Sequence, residues 1–397
     1  MIQKIAIIFF SLLILSFATA CQGDELILVE YDEIKSGANR MESYLPLLQN
    51  KNIAVVANQA SLVGNTHLVD TLLSHDIKIT SIFCPEHGFR GIAEAGKKIN
   101  DSIDPNTHIP IISLYGSHRK PTTADLENID VVLLDLQDVG TRFYTYISTL
   151  TYIMEACAEN NIPIIVLDRP NPNGYFIDGP VLEKENSSFI GLHPVPIVYG
   201  MTIGEYAKMV AGEQWIKNAS TLDITVISLE GYNHNMVVKL KTKPSPNLPN
   251  WESVYLYPSL CLFEGTIMSI GRGTDFPFQV FGNPDYKIGS FIFMPVSKTA
   301  ATKPKYQDIT CYGFNLVGYA ENYDNNPPQI NLSWLIGSYE VMQDYDDFFG
   351  PYFVKLAGTD ELRKQIIAGL SEDEIRQSWQ TKIDNFKKIR LNYLLYP

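Results

Sequence analysis

The chain of 397 residues is 45% hydrophobic and 19% charged. That excludes a disordered tail protein and a multi-span membrane protein, and leaves room for one large or two ordinary cores. Its 31 Lys and Arg stand against 44 Asp and Glu, a formal charge of -13; such a surface repels phosphate backbones and excludes nucleic acid as a partner.

In chain order, the first element is an address. Lys4 precedes an apolar run over 5–18 broken only by Ser11 and Ser16. The run is too short to span a bilayer comfortably, so residues 1–20 read as a secretory signal. Ala18-Thr19-Ala20-Cys21 resembles a bacterial lipobox, with Ala18 in place of the usual Leu. Cys21 is therefore expected to be the acylated mature N-terminus and a membrane anchor; ordinary cleavage beside a chance cysteine is the alternative. Residues 21–45, with Asp24, Glu25 and Glu30, read as a tether. Cys84, Cys157, Cys261 and Cys311 show neither a C-x-x-C pair nor Cys/His ligand spacing. Buried thiols are expected, with one disulfide left open, and no metal site.

Short β-branched runs at 52–57, 77–84, 109–115, 129–136 and 163–167 predict buried strands. Between them, 66–75 and 122–128 read as helices. Thr141 is placed to cap a longer helix on which Phe143, Ile147, Leu150, Met154 and Cys157 form one apolar stripe. The rhythm predicts an α/β fold: a Rossmann-like, mostly parallel sheet over residues 46–238. The run 239–250, KLKTKPSPNLPN, reads as a linker. Residues 251–397 read as a smaller α+β C-terminal domain, with strand-like runs at 265–270, 289–294 and 309–316. A final helix over 371–393 carries Ile375, Trp379, Ile383, Phe386, Ile389 and Leu391 as its stripe.

Ligands of open α/β sheets bind beyond the carboxyl ends of the strands. The loops there are Pro85-Glu86-His87-Gly88-Phe89-Arg90-Gly91, Gln137-Asp138-Val139-Gly140-Thr141-Arg142 and Asp168-Arg169-Pro170-Asn171-Pro172. All three are expected to converge on one edge with carboxylates, a His and Arg side chains. Arg142, placed in the first turn of a helix, needs an anion there: either a ligand carboxylate or Asp138. The chain has no G-x-G-x-x-G after a strand, no P-loop, no H-E-x-x-H and no G-x-S-x-G. Carboxylate chemistry is left, with glycoside hydrolysis as its leading template.

These loops, with Tyr144-Thr145-Tyr146, Val198-Tyr199-Gly200-Met201-Thr202, Glu264-Gly265-Thr266, Gly271-Arg272-Gly273-Thr274-Asp275 and Tyr393-Leu394-Leu395-Tyr396, resemble one family, the exo-β-N-acetylmuramidases of the NamZ type. It was formerly a domain of unknown function. The likeness runs over 52–397. It implies a Rossmann-like domain and a smaller C-terminal domain with the active site between them, and release of terminal β-linked N-acetylmuramic acid from the non-reducing end of peptidoglycan fragments. It also maps the family's candidate catalytic Glu onto Glu86.

On that reading Glu86 is the general acid, held protonated near neutral pH, and His87 orients it or binds substrate. The second catalytic group is Asp138 or the substrate's own 2-acetamido oxygen. Arg90, Arg142 or Arg272 would bind the lactyl carboxylate in a fork. Tyr144, Tyr146 and Tyr199 are candidates for sugar contacts, with packing as the alternative. Asp168, Arg169, Glu264 and Asp275, in the same motifs, complete the candidate substrate-binding set. No metal or organic cofactor is implied, and the chain is expected as a monomer or homodimer. Two rivals remain: a non-catalytic surface glycan-binding lipoprotein, and a cell-wall esterase or amidase. The missing nucleophile elbow and zinc motif count against the second.

Overall fold

The computed structural model describes residues 26–86, 88–89, 102–345 and 347–397. The signal, Cys21, His87 and Arg90 lie outside the described residues.

Seven strands form the main sheet: β1 (Asn52–Ala57), β2 (Lys78–Cys84), β3 (Ser102–Ile103), β4 (Pro110–Ser113), β5 (Val131–Asp135), β6 (Ile164–Leu167) and β7 (Ile224–Ile227). Their order is β7-β6-β5-β1-β2-β4-β3. All pairings are parallel except that of β3 with β4. The chain therefore winds outward from β1 to β4, returns to the middle, and winds outward again from β5 to β7. This is a doubly wound sheet with its switch point between β1 and β5. The central strands are apolar at every interior position, Ile53–Ala57 of β1 and Val131–Leu134 of β5, because both faces are covered. Ala54, Val56, Val132 and Leu134 pack with Ile147, Leu150 and Met154 of the helix α2 (Tyr146–Asn160). On the other face Ile53, Val55, Val131 and Leu133 pack with Leu68 and Leu72 of the helix α1 (Leu68–Ser74).

Four local expectations are corrected. Residues 122–128 form turns rather than a helix. The Asp125 carboxylate takes the Thr122 N–H and hydroxyl (2.7 and 2.6 Å), a local bond that competes with helix formation. The long helix starts at Tyr146 with Thr145 at its N-cap position, so Thr141 does not cap it and Arg142 precedes it. The run 265–270 makes only single bridges, at Thr266 and Ser269. The residues read as a tether are folded from 26 onward: Ile27–Glu30 pairs in parallel with Met236–Lys239, and Tyr31 and Ile34 are buried.

The C-terminal part holds the helix α3 (Trp251–Leu260), an antiparallel sheet of β8 (Val280–Asn283), β9 (Phe291–Phe293) and β10 (Cys311–Asn315) with β10 in the middle, and the helices α4 (Tyr352–Ala357) and α5 (Glu372–Arg390). Along α5, Ile375, Trp379, Ile383 and Phe386 are buried as the stripe predicts, while Leu391, beyond the helix, is exposed. The Pro-rich segment before α3 is packed into the molecule: Ser245, Asn247 and Leu248 are buried. Cys84, Cys157, Cys261 and Cys311 are buried thiols outside any disulfide.

Candidate active site

A cleft of about 670 Å³ opens where the strand-end loops meet the C-terminal part. Its chemistry begins with Glu86, delivered by Pro85 directly after β2. The Glu86 side chain is half-buried, and its Oε2 accepts a hydrogen bond from Thr145 Oγ1 at 3.1 Å. Tyr115, which follows β4, lines the same space. From the C-terminal part come Tyr257 and Cys261, Glu264 and Arg272, and Tyr352 and Lys355 of α4. A recess of about 60 Å³, lined by Tyr144, Tyr146, Ser245 and Asn247, shares Glu86, Thr145 and Arg272 with the cleft.

Glu264 and Arg272 form a fork. Arg272 donates from Nε to Oε1 at 2.7 Å and from Nη2 to Oε2 at 3.1 Å, and its guanidinium lies 4.9 Å from the centre of the Phe278 ring. Burial works against the arginine charge; Glu264 more than restores it, so the Arg272 pKa lies above its ordinary value. The fork leaves both Glu264 oxygens engaged by the arginine. The lining also carries Arg119, Lys303, Lys305 and Lys355. With Arg272 these cations outnumber Glu86 and Glu264, so an acidic protein presents a cationic cleft that draws anions in.

Of the three loops expected to converge, only the first opens into this cleft. Asp138 is buried; its carboxylate accepts from the Tyr199 hydroxyl and from Gly140 N–H at 2.7 Å. Burial pushes its pKa up to about 6, against the pull of those bonds. It does not line the cleft, because the end of the central strand is covered by neighbouring loops. Gly140 has φ +76°, and a Cβ there would fall 2.1 Å from Asn171 Oδ1. Among the described residues, the second carboxylate lining the cleft is thus Glu264, not Asp138.

Arg142 is also corrected. It is fully buried away from the cleft, and its guanidinium bonds to backbone carbonyls rather than to Asp138. Nη1 donates to the Pro180 and Val195 carbonyls, both at 2.8 Å, and Nη2 to those of Leu356 and Ala357 at 3.0 and 2.7 Å. Tyr199 is buried on Asp138. Tyr144 donates to the Pro244 carbonyl at 2.6 Å, and Tyr146 accepts from Asn58 Nδ2 at 2.8 Å. Their rings, 4.7 Å apart edge to face, wall the recess, with both hydroxyls already engaged.

Asp168 and Arg169 occupy the strand edge without facing the cleft. Asp168 accepts from Thr202 Oγ1, Gly204 N–H and Tyr396 Oη at 2.6–2.7 Å, and burial pushes its pKa up to about 7. Arg169 grips Asp135, at the end of β5, through Nε (2.5 Å) and Nη2 (2.8 Å), and Nη1 reaches the Tyr31 hydroxyl. This pair and Tyr31 fill the switch-point crevice, leaving a hollow of about 20 Å³. Asp275 is on the surface, paired with Lys298. The sequence reading missed Tyr115, Thr145, Tyr257, Tyr352 and Lys355. Thr145 lies inside a quoted motif and Tyr257 close before another; Tyr352 and Lys355 carry no sequence signal.

Residues 53–252 match the family described as exo-beta-N-acetylmuramidase NamZ, N-terminal, and residues 255–396 its C-terminal counterpart. The chain belongs to the NamZ exo-β-N-acetylmuramidase family. The peptidoglycan beta-N-acetylmuramidase NamZ of Bacillus subtilis is 40% identical over 378 residues, covering 90% of this chain and 89% of the relative. A crystal structure of a DUF1343 family protein from Bacteroides fragilis superposes with a TM-score of 0.83 at 43% identity, covering 91% of this chain and 99% of that one. A second from the same organism gives 0.73 at 26%, covering 92% and 99%. The seam between the two NamZ regions falls in α3, and the cleft draws on both. Glu86 and Thr145 come from the first, Tyr257, Glu264, Arg272 and Tyr352 from the second.

Proposed function

We propose that the chain is an exo-β-N-acetylmuramidase that releases terminal β-1,4-linked N-acetylmuramic acid from the non-reducing end of peptidoglycan fragments during cell-wall turnover. The observation that carries this reading is Glu86: a half-buried carboxyl, oriented by Thr145, in a cationic cleft built from both family regions. Glu86 gives its proton to the departing glycosidic oxygen. With Asp138 enclosed and Glu264 clamped by Arg272, the substrate's 2-acetamido oxygen is the nucleophile: it bonds to C1 as the glycosidic bond breaks. Water then opens the cyclic intermediate and returns a proton to Glu86. The Glu264 anion lies where it offsets positive charge developing on the sugar ring. The cationic lining suits the lactyl carboxylate that distinguishes this sugar from glucosamine.

Glu86→Gln is expected to fold normally and lose about 10²–10⁴-fold in turnover of a chromogenic N-acetylmuramide; near-wild-type turnover would remove Glu86 from the mechanism. Proton NMR of the product should show the β-anomer formed first, and initial α-anomer would overturn the acetamido route. The reading includes export and anchoring through acylated Cys21. Metabolic labelling with palmitate should mark the wild-type chain and leave Cys21→Ala unlabelled; equal labelling would refute the anchor.

A further inference from the structure

Arg142 heads the fully buried side chains by volume, yet the chemistry above does not use it. A buried cation is costly unless most of its donors are matched. Here the four Nη N–H groups are matched, all by backbone carbonyls and none by a carboxylate, while Nε has no partner. Nη1 spans two carbonyls of the N-terminal region, Pro180 and Val195; Nη2 spans those of Leu356 and Ala357. The latter two close α4 (Tyr352–Ala357), where backbone carbonyls have no partner inside the helix. The socket is shaped for this side chain. A Cβ on Gly358 would fall 2.5 Å from Arg142 Nη2, and one on Gly191 would fall 3.2 Å from its Cδ.

The same helix forms part of the cleft. Tyr352, Lys355 and Leu356 line it together with Glu86 and Glu264, and the Leu356 carbonyl is one of the four that Arg142 holds. A planar fork that fixes four acceptors at once sets position as well as energy. We infer that Arg142 is a positioning residue. It registers the α4 wall of the cleft, and with it Tyr352 and Lys355, against the strand-edge loops that carry Glu86.

A double-mutant cycle on the full chain tests this, read as kcat/KM on a chromogenic N-acetylmuramide. Arg142→Met should lower kcat/KM at least about tenfold, and Arg142→Lys should recover part of the loss. In a Tyr352→Phe, Lys355→Ala background, Arg142→Met should cost less than about threefold, because the wall it positions has already lost its contacts. The same factor in both backgrounds would overturn the inference, since a purely stabilising role adds independently of the wall. So would an unimpaired Arg142→Met enzyme. Should Arg142→Met not fold, Arg142→Lys takes its place: it keeps a cation but cannot hold all four carbonyls at once, and the same outcomes decide. A wild-type chain that hydrolyses nothing counts against the proposed function instead, and the cycle is then read on the Kd for N-acetylmuramic acid.

Discussion

At the scale of single residues, burial sorts the acidic and basic side chains of the motifs into two groups. Glu86, Glu264 and Arg272 face open space; Asp138, Arg142, Asp168 and Arg169 are enclosed and bond to the protein around them, leaving only Asp138 Oδ1 and Arg142 Nε without a partner. The motif strings gave no means of telling these apart, because a loop that must be conformationally fixed uses the same charged residues as one that binds a ligand. Asp138 makes the difference measurable. Its pKa rises from an ordinary 3.8 to about 6, so between those values the folded chain holds a proton that the unfolded chain has lost. The stability this contributes is complete below about pH 4 and is lost as pH rises through 6. The shift corresponds to about 3 kcal/mol at most. Asp138→Asn should therefore gain stability relative to wild type as pH goes from 4 to 8, read from urea midpoints. A difference that does not change with pH would show that the carboxyl titrates normally.

The secondary-structure elements were the most legible part of the chain. The strand over 52–57 coincides with β1, and those read at 77–84, 129–136 and 163–167 each contain the observed strand, because runs buried on both faces are predominantly apolar. β7 went unread: ITVI is only four residues long and mostly half-buried. The helix over 122–128 failed because a single Asp125 carboxylate outbid the helical bonds. The last helix, α5 (Glu372–Arg390), was legible from both its stripe and its start. Ser371 accepts from Glu374 N–H while the Glu374 carboxylate takes the Ser371 N–H at 2.8 Å, a capping box. Ser371→Ala should cost about 1 kcal/mol in guanidinium unfolding and leave kcat/KM unchanged, since α5 does not line the cleft. A loss of activity at full stability would mean that the helix communicates with the site.

On the scale of the whole molecule, the two family regions are joined by buried polar contacts in both directions. Arg142 reaches from the first into the second, and Arg376 returns to Asp178. The C-terminal tail lies back across the sheet domain: Tyr396 Oη meets Asp168 at 2.6 Å, Leu395 N–H meets Glu205 at 2.8 Å, and the His234 backbone N–H meets the Pro397 carbonyl at 2.9 Å. Removing residues 393–397 should lower the unfolding free energy by about 3–5 kcal/mol, because it strips partners from the buried carboxylates Asp168 and Glu205. An unchanged denaturation midpoint would show that the tail is ornamental. No pattern in the sequence announced these long-range partners. Hydrophobic periodicity reports which face of an element is buried, not which distant element buries it.

The pairing of Ile27–Glu30 with Met236–Lys239 also dictates an order of events. The first described strand has no hydrogen-bonding edge to join until more than half the chain has been synthesised, and only then is Tyr31, next in the chain, held over Arg169 by that pairing. Closing so long a loop is entropically late and slow. The stopper over the switch point is thus among the last pieces to seat, and because contacts made late are absent from the folding transition state, weakening it should speed unfolding more than it slows refolding.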